Sequence, residues 1–374
     1  MFEPLLAHVF PGQRLLVEPW IHLDAGTSSA RVIERHLSIS AYGRVVSIDR
    51  PSDRAASASL EPPVRSDAVA AVQRILGPIA VGEVAELGWG TYNTTLRVDL
   101  IAREPVVLRF APRREAQLRS ERDWLRSECA VTPHLVTCLG DIVPRTLGAD
   151  FSHTLFDRDR LVQTLVPGVP APAKLPEYDR AARPEFFGQL GAISRRIHGV
   201  HGDGWGPAAR PDSDRWSDAL ERSLGESIDD LRDLDLEHRD VGRLAAVVTR
   251  NRNRIDVLSH PRLLHGDLWT ANVLLDPLAS TPTVTGIVDG ERAWWGDPLA
   301  DWAIDRASRQ SSSDEESSFW SAYGRAEGPN VDWRRLLYKG RHLVAGRIEA
   351  ARHGEREHAA TTIAELALVL DALA

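Results

Sequence analysis

The stretch His265-Gly-Asp267-Leu-Trp-Thr-Ala-Asn272, followed by Gly286-Ile-Val-Asp289-Gly-Glu291, spaces carboxylates and an amide as a hard cation and a mobile proton would require. Residues 273–275 and 283–288 read as two short apolar strands joined by a loop containing Pro277 and Pro282. An antiparallel hairpin sets the start of its first strand beside the end of its second. Asn272 and Asp289 stand at those two points, so an amide oxygen and a carboxylate converge at one hairpin edge. Magnesium takes such oxygen ligands and completes its shell with waters and phosphate oxygens. Asp267 lies in the loop before Asn272 and is close enough to face the same place. A carboxylate there can accept or orient the proton of an attacking hydroxyl.

The chain carries its own control for this motif. His201-Gly202-Asp203 repeats the tripeptide, but Ala208 stands where the first copy has Asn272, and no strand ending in Asp follows. The second copy reads as a loop after a helix. His198, His201 and Asp203 are of metal-ligating types, but no further ligand lies nearby in sequence.

The elements that must position these residues differ between the two halves. Residues 66–76 have the apolar spacing of a short helix, with Val69, Val72 and Leu76 in phase. Strand-like runs follow at 81–87, 95–101 and 105–110, then a helix over 113–129 and an apolar strand over 160–166 ending at Pro167-Gly168. This pattern predicts a small antiparallel sheet with one packed helix. Beyond it the period changes to 3.6. Residues 185–200 put Phe186, Leu190, Ile193, Ile197 and Val200 on one face, and 214–231 and 236–250 are further helices. Residues 263–275 read as strand, and Ser313 with Glu316 has the spacing of a capping box.

The motif His-Gly-Asp-x4-Asn, then a strand ending in Asp, resembles the aminoglycoside phosphotransferase family, which has a protein-kinase-like fold. The run Gly296-Asp297-Pro298-Leu-Ala-Asp301 resembles that family too. The resemblance covers about residues 80–350. It implies an α+β fold of two lobes, a small antiparallel-sheet N-lobe over 66–166 and a mainly helical C-lobe over 167–374, with residues 1–65 as an extension of unassigned role. It implies that Asp267 is the catalytic carboxylate, that Asn272 and Asp289 hold magnesium, that His265 supports the loop, and that Asp301 braces it. It further implies ATP or GTP as the phosphate donor and a hydroxylated small molecule as the acceptor. An antibiotic or related natural product is the first expectation. A metabolite kinase of the fructosamine, sugar, choline or homoserine type is the alternative, and a nucleotide-binding pseudoenzyme is a third.

The nucleotide half rests on weaker signals. Leu87-Gly88-Trp-Gly90-Thr-Tyr-Asn93 lies between two strands, where glycines let backbone N–H groups approach phosphates. A strand rather than a helix follows, so this is a covering hairpin loop and not a dinucleotide fold; Asn93 matches the family's loop end. A cation should reach the phosphates from the third strand. Only Lys174 and Lys339 are lysines in the whole chain, so Arg109 takes that place. Glu121, on the inward stripe of the next helix, is its expected partner, with Glu115 and Glu128 as alternatives, because a carboxylate on an apolar face requires one. Backbone groups around Gln163, Thr164 and Val166 would meet the adenine edge.

Composition narrows the setting. A net charge of −8 argues against general nucleic-acid binding. No apolar run reaches the length of a membrane span, and the start lacks a basic segment before its apolar residues. Cys129 and Cys138, the only cysteines, have no metal-ligand spacing. A reduced cytoplasm is the expected location.

Overall fold

The computed structural model describes residues 65–87, 92–307, 312–324 and 328–374. Residues 14–17 and 44–48, whose sequence suggests short strands, the Ser-, Ala- and Pro-rich stretch 51–63, which reads as a linker, and Gly88 and Gly90 of the expected phosphate loop lie outside the described residues.

The first lobe begins with α1 (Arg65–Leu76), which buries Ala68, Ala71 and Val72. Strands β1 (Val81–Glu86), β2 (Thr94–Leu100) and β3 (Val106–Phe110) follow. In β2 every second residue from Thr94 is buried, so one face of the sheet meets α1 through Leu96, Val98 and Leu100. Helix α2 (Trp124–Leu139), β4 (Thr146–Asp150) and β5 (Arg160–Thr164) complete a five-stranded antiparallel sheet of order β1-β2-β3-β5-β4. Strand β4 is not foreseen by pattern: its sequence TLGAD does not alternate, and Gly148 is there because a Cβ would lie 2.6 Å from the Ile75 side chain.

The helix expected over 113–129 is displaced. Residues Arg114–Ala116 and Arg119–Glu121 form separate 3-10 turns, and Asp123 adopts a left-handed conformation, φ 67°, before α2 begins. Pro133 lies inside α2, which continues to Gly140.

The chain then crosses to the second lobe through β6 (Val169–Pro170). Gly168 has φ 140°, and a Cβ there would press on Thr285 and Leu274, so a glycine allows the crossing segment to lie against the hairpin. The helices are α3 (Ala171–Lys174), α4 (Arg183–His198), α5 (Trp216–Asp233), α6 (Arg239–Arg250), α7 (Arg252–Ile255), α8 (Trp302–Ala307), α9 (Ser313–Tyr323), α10 (Val331–Arg352) and α11 (Arg356–Leu373). Helix α4 buries Phe186, Leu190, Ile193 and Ile197 of the face read from sequence, while Val200 lies past its end at His198, and Gly191 lets it close on the Phe319 backbone of α9. The cap of α9 is Ser312, one residue earlier than expected; its hydroxyl accepts from the Asp314 and Glu315 amides.

Two three-stranded sheets interrupt these helices. One is β10-β9-β6, with β9 Val273–Leu275 and β10 Val284–Ile287; the other is β7-β11-β8, with β7 Gly206–Pro207, β8 Arg262–Leu264 and β11 Trp294–Gly296. The apolar stretch read over 263–275 forms β8 and β9, separated by the expected loop that carries His265 and Asp267. The whole is an α+β molecule of two lobes, as the resemblance implied.

Candidate active site

Strand β8 delivers the chain to His265, and the loop that follows is held by Asp301. The Asp301 carboxylate accepts from the His265 amide at 2.8 Å and the Gly266 amide at 3.1 Å, and His198 Nε2 lies 3.0 Å away. Burial alone would raise Asp301, but His198 beside it keeps the carboxyl below its ordinary value, so it stays ionised. Gly266 has φ 79°, and a Cβ would run into the Arg292 carbonyl; only glycine permits this turn. His265 is fully buried, and burial lowers its pKa, which suits a neutral supporting ring.

Asp267 emerges from this turn. Its carboxyl is pushed up to about 7, first by burial and then by the charges of Asp289 and Glu349, against the pull of Arg292 and the Asn272 hydrogen bond. The Arg292 Nε stands 4.0 Å from Asp267 Oδ2. Asn272 Nδ2 donates to the Asp267 carbonyl at 2.8 Å and to its Oδ2 at 3.1 Å. The amide's orientation is thereby set, and its Oδ1 is the atom left for a cation.

Asp289 lies across the hairpin. Val273 pairs with Ile287, and the Val288 amide donates to the Asn272 carbonyl at 3.0 Å, so the backbone sets Asn272 and Asp289 at the same end of the hairpin. Asp289 itself is left-handed, φ 69°. Arg109 reaches it from β3: Nη2 donates to Asp289 at 2.7 Å and to Glu291 at 2.8 Å, while Nη1 donates to Glu128. The arginine holds Asp289 below its ordinary range despite burial, whereas burial raises Glu128 and Glu291.

Of the two glutamates, the one paired with Arg109 is thus Glu128 of α2, the alternative partner, and not Glu121. Seven residues separate the two, so helical spacing places both on one stripe and cannot choose between them. The break at Asp123 decides it. Glu121 sits in the preceding 3-10 turn, where it accepts from the Leu118 amide at 2.9 Å and pairs with Arg352. Glu291, in Asp289-Gly-Glu291, is a member of the cluster to which sequence reading gave no role. Asn93 Nδ2 donates to it, tying the first lobe to the hairpin, while Asn93 Oδ1 is buried with no partner among the described residues.

A divalent cation fits this donor set. Asn272 and Asp289 supply oxygens only. Glu128, Asp289 and Glu291 place carboxylate oxygens within 4.8 Å of one another, and a single guanidinium balances them. Asp289, the carboxyl held below its ordinary range, is the charged oxygen ligand that a magnesium ion would take. No such group forms at the second tripeptide: among the described residues His198 is engaged by Asp301 and Tyr323, and His201 stacks on His260.

The expected adenine-facing segment is only partly available. Gln163 Nε2 donates to Glu128 at 3.1 Å. The Thr164 amide donates to the Arg145 carbonyl, and its hydroxyl accepts from the Arg145 amide, so both are committed to the sheet. Val166 lies beyond the end of β5, against Gly286 of the hairpin.

On the other side of Asp267 a cavity of about 520 Å³ opens, lined by Arg292, Trp294, Arg341 and Glu349 among others. Its walls come from segments far apart in sequence, which is why sequence reading gave no sign of it.

A family model described as Phosphotransferase enzyme family (APH) matches residues 83–337. No curated protein matches the chain. Solved structures share the fold. Wild-type aminoglycoside 2'-phosphotransferase-IIIa in its GDP complex superposes with a TM-score of 0.55 at 17% identity, over 83% of this chain and 99% of that one. Aminoglycoside phosphotransferase APH(4)-Ia gives 0.55 at 16% identity, over 79% and 95%. A fructosamine-3-kinase candidate from Thermobifida fusca YX-ER1 gives 0.52 at 21% identity, over 79% and 97%.

Proposed function

The chain belongs to the phosphotransferase enzyme family, and from that premise we propose that it transfers the terminal phosphate of ATP or GTP to a hydroxyl of a small molecule at the Asp267–Asn272–Asp289 site. In the reaction the bond from the γ-phosphorus to the bridging oxygen breaks, a bond from the acceptor oxygen to phosphorus forms, and the nucleoside diphosphate leaves. The hydroxyl proton passes to Asp267. A carboxyl raised to about 7 is a stronger base than an exposed aspartate, and Asp301 fixes its loop. Asn272 and Asp289 would hold magnesium, which supplies charge neutralisation to the phosphates. Arg109, positioned by Glu128, places a permanent cation at the same point, and an arginine serves because its forked donors reach Glu128, Asp289 and Glu291 together. Gly88 and Gly90 would cover the phosphates from a loop anchored by Asn93, and the backbone at Gln163–Val166 would border the purine. Glu121 has no part in this arrangement.

The single observation that carries the reading is the hydrogen bond from Asn272 to Asp267 in a hairpin whose other end is Asp289. For the acceptor, an antibiotic or related natural product is supported by the aminoglycoside phosphotransferases that share the fold, one solved with AMP-PNP and hygromycin B. A metabolite kinase is supported by the fructosamine-3-kinase candidate. Incubating the purified chain with Mg-ATP and hydroxylated antibiotics and metabolites tests the reading by mass. We expect at least one compound to gain one phosphate; loss of ATP with no acceptor modified anywhere in the panel would count against it.

A further inference from the structure

We propose that the acceptor carries an anionic group, a carboxylate or a phosphate, and that Arg341 receives it. This rests on the phosphotransfer reading and adds the chemical class of its acceptor.

The cavity beside Asp267 is rich in positive charge. Ten arginines and seven carboxylates line it among the described residues. The carboxylates nearest the reacting group already have partners. Glu349 faces Arg292 at 3.4 Å, Glu121 is paired with Arg352, and Asp267 itself is the group that must meet the hydroxyl. Arg341 of α10 is different. Its Nε is buried and donates to nothing among the described residues. Among the described residues no carboxylate comes within ion-pair distance of it; the guanidinium instead stacks over the Trp294 ring, 4.7 Å from the centroid. Burial pulls its pKa down to about 10, with Asp301 acting against this and Arg292 adding to it. A buried N–H left with no acceptor is costly, and a ligand anion reaching the half-buried guanidinium would remove that cost.

The aromatic surface agrees with a compact ligand. Trp269 and Trp302 lie in the same wall, each under the guanidinium of Arg306 at 5.4 and 5.5 Å. These rings offer flat apolar contact to a sugar or aromatic face, with cations at the rim. A polycationic amino sugar would instead bring its ammonium groups toward Arg292, Arg306 and Arg341, and like charges at such distances repel. The cavity therefore favours hydroxylated acids over amino sugars.

The test is steady-state transfer from Mg-ATP by the full chain, using matched sets: hydroxylated carboxylic acids and sugar phosphates, the methyl esters of the acids, and amino sugars. The acids or sugar phosphates should be the best acceptors, and esterification should raise KM by roughly ten- to a hundredfold, the worth of a hydrogen bond to a charged group. Arg341→Gln should raise KM for the acid by a similar factor and erase the difference from the ester, while Arg341→Lys should retain part of it. The effect should fall on KM more than on kcat. The inference is overturned if amino sugars outrank the acids, if acid and ester are equal in the wild type, or if Arg341→Gln keeps the preference. It is also overturned if the chain binds and turns over Mg-ATP and no anionic compound gains a phosphate. Absence of any Mg-ATP binding would instead strike the phosphotransfer reading itself, so the two failures are distinguishable.

Discussion

The two His-Gly-Asp tripeptides stand at opposite ends of one pairing. His201 bridges to Arg262, the first residue of β8, and the Gly202 amide donates to the Pro261 carbonyl; His265 follows Leu264, the last residue of β8. Beyond that the surroundings diverge. His265 is fully buried and His201 exposed. The amides of His265 and Gly266 are held by one ionised carboxylate, Asp301, whereas Asp203 is exposed and Gly202 has an ordinary backbone. Asp267 faces Asn272, Asp289 and Arg292; Asp203 has no such company. The difference teaches that the tripeptide is only a turn. What makes one copy a site is the buried acid beneath it and the hairpin beside it.

The largest expected break in this comparison is Asp267→Asn against Asp203→Asn. The first should cut kcat by roughly 10²–10⁴, the usual contribution of a positioned acid–base group, and the second should leave it near wild type. Equal effects in a steady-state assay would mean the two loops are not distinguished by function. Next in size is Gly266→Ala against Gly202→Ala. The first forces a side chain into left-handed backbone and into the Arg292 carbonyl, costing about 1–3 kcal/mol for the backbone alone, with kcat falling as well. The second meets only the Trp295 ring, so it should disturb stability and leave kcat little changed. Chemical denaturation and kinetics on both variants check this.

The same contrast recurs between Glu121 and Glu128, and a double-mutant cycle sharpens it. Arg109→Ala with Glu128→Ala should show a coupling of about 0.5–3 kcal/mol, whereas Arg109→Ala with Glu121→Ala should add within about 0.5 kcal/mol. Coupling to Glu121 instead would relocate the pair. The smallest effect is in pH dependence. A carboxyl raised to about 7 is protonated below that pH and cannot take a proton, so kcat/KM should fall as pH drops through about 7. Asp203→Asn should keep this acid limb and Asp267→Asn should lose it.

Much of this was legible in the sequence, for physical reasons that differ by element. The hairpin with Asn272 and Asp289 at its edge follows from strand pairing and could be read from spacing alone. The long face of α4 is legible because four apolar residues recur at helical period. The partner of Arg109 was not, because seven-residue spacing puts two glutamates on one stripe and only the left-handed Asp123 separates them. Strand β4 was hidden by a glycine kept small for Ile75. The cavity was hidden most completely, since Arg341 is one of five arginines on α10 and is set apart by having no carboxylate partner among the described residues.

The most direct test of the central claim is ATP binding by titration calorimetry, with and without magnesium, in the wild type and in Asp289→Ala. The account predicts that magnesium strengthens nucleotide binding to the wild type and that Asp289→Ala loses most of this dependence while remaining folded. Magnesium-dependent binding of unchanged strength in the folded variant would contradict the assignment of the hairpin edge as the metal–nucleotide site.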